Sequence, residues 1–157
     1  MKILLIRHGD PDYEHGTLTE QGWVEAELLA WRLQSAAIDD FYLSPLGRAQ
    51  DTAGVTLKAL GRTGETLPWL REFWGGFDEP YTGKRRCPWN LMPQYWTAQE
   101  KLLHPTQWRE DGLLRTGDVA EVYDETVVGV DELLARYGLI RQGNLYTGEN
   151  NHKTIAL

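Results

Sequence analysis

The chain opens on Lys2-Ile3-Leu4-Leu5-Ile6, four apolar residues in a row after a lysine. The run is too short for an independent helix and rich in branched side chains, so it reads as a buried strand. It breaks off at Arg7-His8-Gly9. A turn-rich acidic stretch follows, Asp10-Pro11-Asp12-Tyr13-Glu14-His15-Gly16, and then Leu18-Thr19-Glu20 starts a helix with Thr19 as its N-cap. Trp23, Ala26, Ala30, Leu33 and Ala37 recur at helical spacing and predict a face packed on a sheet. The two tryptophans of this helix, Trp23 and Trp31, are expected in core or edge packing. Phe41-Tyr42-Leu43 reads as a second short strand. Ser44-Pro45 then predicts a helix start, with serine as cap and proline at the first helical position. Leu46, Ala49, Ala53, Leu57 and Leu60 share one face of that helix, and Gly61 closes it.

Glu65 to Leu70 reads as a short strand leading into Arg71-Glu72. From 73 to 116 the pattern changes. This stretch holds Trp74, Trp89, Trp96 and Trp108 among scattered Gly and Pro, with one modest helical pattern from Gln94 to Leu103. A segment of that length between regular elements reads as a lid or substrate-binding insertion. Most of its tryptophans are expected to form the insertion's own small core. Lys84-Arg85-Arg86 reads as a solvated charge run, with screening of an anionic substrate as the other option. Asp118, with Glu121 three residues on, opens a long helix whose buried face is Val119, Val122, Val127, Val130, Leu133, Leu134 and Tyr137, and Gly138 caps it. A loop rich in Gly and Asn separates it from Lys153-Thr154-Ile155-Ala156-Leu157, the start of another buried strand. Strands alternating with amphipathic helices define an α/β fold.

Composition narrows the function. At 157 residues the chain reads as a single domain, 1–157, with a real core. Sixteen basic residues against twenty-three acidic ones leave a net charge of −7. That balance disfavours nucleic acid or an anionic membrane as the main partner, because both need clustered cations. A small phosphorylated ligand needs only a local pocket of arginines. One cysteine, Cys87, excludes an internal disulfide, and the run from Lys2 to Ile6 is too short for a signal-peptide core, so the expected compartment is the cytoplasm.

The candidate chemistry lies at the first strand's end. Ligands of open α/β sheets sit beyond the carboxyl ends of the strands, where Arg7-His8-Gly9 falls. Arginine offers a fork of donors for phosphate or carboxylate, histidine can serve as a nucleophile at neutral pH, and glycine permits close approach of the backbone. The acidic loop does not fit a calcium-binding EF-hand. Counting from Asp10, position six is His15 in place of glycine, and position twelve is Gln21 in place of glutamate. Arg48 falls in the first turn of its helix, off the apolar stripe, where a helix N-terminus already favours anions.

These pieces in this order resemble the histidine phosphatase superfamily, the phosphoglycerate-mutase-like proteins. The resemblance rests on a strand into Arg7-His8-Gly9, Leu18-Thr19 with Gly22, Ser44-Pro45-Leu46 with Arg48, Thr52 and Ala53, and Leu70-Arg71-Glu72. It covers most of the chain and is loosest from 73 to 116. It implies a three-layer α/β/α architecture around a mostly parallel open sheet. It implies that His8 is the nucleophile, that Arg7 and Arg48 bind the phosphoryl oxygens, and that Glu72 protonates the leaving oxygen and then activates water. Such an acid calls for burial or neighbouring negative charge around its carboxyl group. Tyr13 and Thr19 are further candidates for substrate contact.

No cofactor and no metal are implied, since two arginines can neutralise the developing charge. The expected partner is a small phosphorylated substrate or inorganic phosphate, with an oligomer an open possibility. The family places a second histidine, followed by glycine, just past the last strand; His152 precedes that strand and His104 lies in the insertion, so neither fills the place. The expectation is that the family domain continues past Leu157. The implied function is a phosphomonoesterase working through phosphohistidine. A phosphoglycerate mutase is the alternative within the same chemistry, disfavoured by the short loop between Gly9 and Leu18. A non-catalytic phosphate-binding module is the alternative of another class, should the protein natively end at Leu157.

Overall fold

A computed structural model describes residues 1–149 and 151–157. In chain order, β1 (Lys2–Leu4), β2 (Pro11–Asp12) and β3 (Thr17–Leu18) precede α1 (Glu20–Leu33). Then come β4 (Asp40–Leu43), α2 (Gly47–Leu60) and β5 (Glu65–Thr66). A hairpin of β6 (Phe77–Asp78) and β7 (Arg85–Arg86), short helices α3 (Pro93–Thr97) and α4 (Glu100–Leu103), and the long α5 (Val119–Ala135) follow. The chain closes on β8 (Leu139–Gln142), β9 (Leu145–Gly148) and β10 (Thr154–Ala156). Contacts divide it into two compact units, Met1–Glu72 with Leu133–Leu157, and Phe73–Glu132.

The first unit is built on a four-stranded parallel sheet in the order β1-β10-β4-β5. Alternation along each strand sends neighbouring side chains to opposite faces. Phe41, Leu43 and Ala156 go to one face, where they pack with Leu29 and Leu33 of α1 and Ala53, Leu57 and Leu60 of α2. Tyr42 and Ile155 go to the other, where they meet Leu133, Tyr137 and Leu67. The layers are therefore helix, sheet, helix, around a parallel sheet as expected. Ile155 at the centre is fully buried.

Several local expectations are corrected. The opening strand is not buried: β1 has β10 as its one neighbour among the described residues, and Ile3 and Leu5 remain 43% and 81% exposed. The buried line of α1 is Gly22, Ala26, Ala30 and Leu33, with Trp23 at its border and 40% exposed and Trp31 72% exposed. Ala37 lies past the helix and is exposed. Neither Ser44 nor Pro45 starts α2. The helix begins at Gly47 with Leu46 at the cap, and the Ser44 Oγ accepts the Leu46 N–H at 3.3 Å in a local turn. Gly47 belongs there for a close approach, since a Cβ would meet the Gly16 carbonyl oxygen at 2.2 Å.

The strand expected from Glu65 to Leu70 shrinks to Glu65–Thr66. The glycine-rich stretch expected as a loop is a β8–β9 hairpin closed by Gly143-Asn144. Gly143 has φ 63° and no non-glycine residue among those described has a positive φ, the pattern of a II′ turn. Asn150, in the same expected loop, lies outside the described residues. α5 ends at Ala135, and Gly138, expected as its cap, closes the turn that follows at φ 76°. No helix among the described residues is long and apolar enough to cross a membrane.

The second unit has its own core of Phe77, Leu102, Leu114 and Val119, against which Trp96 and Trp108 pack, while Trp74 and Trp89 are largely exposed. The single helical pattern expected here is two helices, because Gln99 between them is extended at φ −130°, ψ 106°. The basic run is exposed as expected, and its two arginines are also paired: Arg85 bonds Asp118, and Arg86 lies 3.7 Å from Glu79. Asp118 spends its carboxylate on Arg85 and on the Gly76 N–H at 3.0 Å.

Asp111 is 1% exposed. Burial alone pushes its carboxyl up, but the Leu114 N–H, the Tyr95 hydroxyl, the Leu113 N–H and the Lys101 ammonium outweigh it and hold the carboxyl below the ordinary value. A carboxyl depressed in the folded state adds stability that is complete above its unfolded value of about 3.9 and is lost as pH falls through the folded value. Urea denaturation between pH 3 and 7 is expected to show this acid-side loss. Asp111→Asn should flatten that part of the pH dependence and lower stability by on the order of 3 kcal/mol at pH 7.

Candidate functional site

All four strands of the main sheet run the same way, so their carboxyl ends line one rim. Arg7 and His8 follow β1 at that rim, and Ser44 follows β4 and leads into α2, which carries Arg48 in its first turn. Leu70 and Glu72 come after β5. A cavity of about 610 Å³ opens here. Arg7, His8, Tyr13, Arg48, Thr52 and Glu72 are among its polar lining, and Leu29, Leu33, Phe41 and Leu43 are among its apolar walls.

Arg48 is the hub. Its Nε donates to His8 Nε2 at 3.0 Å, and its Nη2 donates to Glu72 Oε2 at 2.7 Å. A guanidinium has donors only, so His8 Nε2 must present its lone pair. The ring proton then sits on Nδ1, which donates to the Gly9 carbonyl oxygen at 2.7 Å; the tautomer is assigned from this network. One hydrogen bond thus turns the ring, and the other marks the nitrogen that is free of a proton. Tyr13 lies under the same guanidinium, its ring centroid 5.3 Å from the Arg48 Cζ.

The loop bearing His8 is held by backbone approaches that only glycine allows. A Cβ on Gly9 would stand 2.7 Å from the Gly22 carbonyl oxygen, and one on Gly22 would stand 2.2 Å from that of Asp10. Thr19 completes this junction as the N-cap of α1: its Oγ1 accepts the Gly22 N–H at 3.0 Å and donates to Asp10 Oδ2 at 2.7 Å. Further on, Asp12 accepts the N–H groups of Glu14 and His15 and lies 2.8 Å from the His15 imidazole. The His15 N–H first, then its ring, hold the Asp12 carboxyl below its ordinary value. This short hairpin of β2 and β3 presents Tyr13.

The structure therefore brings together His8, Arg48, Glu72, Arg7 and Tyr13 of the residues singled out in the sequence. It does not bring Thr19 into the cavity, because the cap and Asp10 take its hydroxyl. Glu72 is 59% exposed on its side chain and bonded to a cation, in place of the burial or negative neighbour expected for the acid. Its partner is Arg48. Arg7 is exposed at the cavity. His152 is exposed at the start of β10, the opposite end of the parallel strands from His8, and His104 is exposed in the second unit. Sequence reasoning missed the Tyr13–Arg48 stacking, for which no local pattern exists. It also left Thr52 without a role, although Thr52 lies four residues after Arg48 on the same helical face.

The model of the histidine phosphatase superfamily, branch 1, matches residues 3–137. A probable phosphoglycerate mutase GpmB of Yersinia pestis (strain Pestoides F) is 35% identical over 81 residues, 46% of this chain and 38% of that protein. The chain's match thus spans well under half the length of this curated relative. Among solved structures, mycobacterial glucosyl-3-phosphoglycerate phosphatase with inorganic phosphate superposes with a TM-score of 0.53 at 21% identity, covering 98% of this chain and 70% of that one. Phosphoserine phosphatase from Entamoeba histolytica, in complex with 3-phosphoglyceric acid, superposes with a TM-score of 0.54 at 18% identity, over 98% of this chain and 71% of that one. With the family model matching residues 3–137, most of its length, the chain belongs to the histidine phosphatase superfamily.

Proposed function

We propose that the protein is a phosphomonoester hydrolase acting on a small phosphorylated metabolite through a phosphohistidine at His8. The observation that carries this reading is the single guanidinium of Arg48, bonded at once to the unprotonated nitrogen of His8 and to Glu72. A phosphoryl group entering the cavity competes for those donors. It offers charged oxygens that accept from Arg48 and Arg7, which frees the Nε2 lone pair and leaves Glu72 facing a dianion instead of a cation.

In the proposed reaction His8 Nε2 forms a bond to phosphorus as the ester P–O bond breaks. The leaving oxygen takes a proton from Glu72, acquired from the substrate or solvent once Arg48 has turned to the phosphoryl oxygens. The Glu72 carboxylate then removes a proton from the water that attacks phosphohistidine, releasing inorganic phosphate and restoring the imidazole. Both arginines stabilise charge on the equatorial oxygens. Tyr13, exposed beside Arg48 at the mouth, is suited to contact the organic part of the substrate. The lone cysteine leaves no internal disulfide to maintain, and a cytoplasmic site of action is part of this reading.

A second reading, phosphoglycerate mutase, takes its support from the name of the Yersinia relative. The two-residue strands β2 and β3 leave a short, exposed flap over the site, and ready access of water favours hydrolysis. Supplied with 3-phosphoglycerate, the protein is expected to release free phosphate; the 2-isomer without free phosphate would reverse the choice.

With p-nitrophenyl phosphate, His8→Ala is expected to lower turnover by roughly 1,000-fold or more, about 4 kcal/mol of barrier. Equal turnover in both would remove the enzymatic reading and favour a phosphate-binding module. Glu72→Gln is expected to lower kcat on an alkyl phosphate by about 100- to 10,000-fold. The loss on p-nitrophenyl phosphate should be much smaller, because nitrophenolate leaves without a proton. Steady-state kinetics on the two substrates make the comparison.

A further inference from the structure

The geometry points to Thr52 as a positioning residue that sets the relation between the imidazole of His8 and the guanidinium of Arg48. The inference rests on the reading of His8 as nucleophile, and it adds a residue in the cavity wall whose hydroxyl is taken up by backbone groups and which acts through His8 and Arg48.

Thr52 is 4% exposed in the second turn of α2. Its Oγ1 donates to the Arg48 carbonyl oxygen at 2.8 Å and accepts the Gly9 N–H at 3.0 Å. The polarity of both bonds is forced: a carbonyl oxygen only accepts and an amide N–H only donates. A hydroxyl is the small group that can do both at once from one atom. Valine, equal in shape, does neither.

The two bonds tie specific pieces of backbone. The Gly9 N–H belongs to the peptide that joins His8 to Gly9, and the other bond ends on Arg48 itself. One buried atom therefore couples the chain segments from which both side chains depart, and those side chains meet at 3.0 Å. Gly9 is also the residue whose carbonyl oxygen accepts from His8 Nδ1 at 2.7 Å. Its N–H faces Thr52 while its C=O faces the ring. On its remaining side Gly9 is pressed against the first turn of α1, where a Cβ would meet the Gly22 carbonyl oxygen at 2.7 Å. Without the Thr52 hydroxyl, the Gly9 peptide keeps the α1 contact and loses the one to α2. The imidazole then has two ways to place its proton and Arg48 loses its reference distance.

A hydroxyl that merely fills a buried backbone demand would change folding stability and nothing else. A positioning role requires changes in the ring and in the chemical step. The test compares Thr52→Val and Thr52→Ser in the whole chain by steady-state kinetics on p-nitrophenyl phosphate and by ¹⁵N–¹H correlation spectra of the His8 imidazole. Thr52→Val is expected to lower kcat by about 10- to 100-fold while KM moves by less than about threefold. Its His8 nitrogens should leave the pattern of a ring protonated at Nδ1. Thr52→Ser should keep kcat within about threefold of the parent and retain the parent's ring signature. Should Thr52→Val not fold, Thr52→Ala is read by the same two measurements. Parental kcat with an unchanged ring in the Val or Ala variant would overturn the proposal. So would a Ser variant as impaired as the Val variant, since that would assign the role to the methyl group. If the parent shows no turnover, the hydrolase reading fails, yet the ring spectra still decide whether Thr52 sets the tautomer of His8.

Discussion

A guanidinium can give hydrogen bonds and cannot take them, and the first unit is arranged around one guanidinium placed between a base and an acid. Arg48 donates to His8 through Nε and to Glu72 through Nη2, with Tyr13 against its face. Because its charge is permanent, the nitrogen it touches on His8 must be the one with a lone pair. The protonation pattern of the site therefore follows from connectivity, and connectivity follows from where α2 begins.

The parallel sheet makes that placement possible. Strands β1, β4 and β5 deliver His8, the entry to α2, and Glu72 to the same rim, although these residues are far apart in sequence. Burial on both faces, with Ile155 and Tyr42 on one side and Phe41, Leu43 and Ala156 on the other, fixes the strand register that sets the rim. Glycine does the close work at the rim. Gly9 against Gly22, and Gly47 against Gly16, bring three chain segments nearer than any side chain would permit. The motif glycines are thus steric requirements of the scaffold as well as openings toward a ligand.

Much of this was legible in the sequence, for identifiable reasons. Thr19 as N-cap, Gly61 as C-cap and the burial of Ala26, Ala30 and Leu33 follow from local chemistry within one turn of helix, which a sequence displays directly. The failures share another cause. The start of α2 moved from Ser44 to Gly47 because the demand of the Gly16 loop, thirty residues earlier, outweighed a good local capping signal. The apolar composition of β1 predicts burial, but exposure depends on what lies alongside, and one flank has no neighbour among the described residues. Glu72 was expected in a setting that favours the protonated form, and its actual neighbour is a cation from another element. Long-range partners, not propensities, decided each of these cases.

The strengths of the contacts around Arg48 differ in a way that suits the proposed reaction. Its ion pair with Glu72 is more than half exposed on the acid's side, and a pair of that kind contributes at most about 1 kcal/mol. A phosphoryl dianion, with more charge and oxygens placed for bidentate acceptance, displaces such a partner at little cost. The contacts that hold the frame are of another kind: a buried hydroxyl between two backbone groups, a helix cap, and backbone-to-backbone approaches at glycine. None of these involves a charge that substrate could claim. Binding can therefore exchange the partners of Arg48 while the backbone positions of His8 and Arg48 stay where the fold has set them, and in the proposed reaction that separation lets one side chain guard the base in the empty site and serve the phosphoryl group in the occupied one.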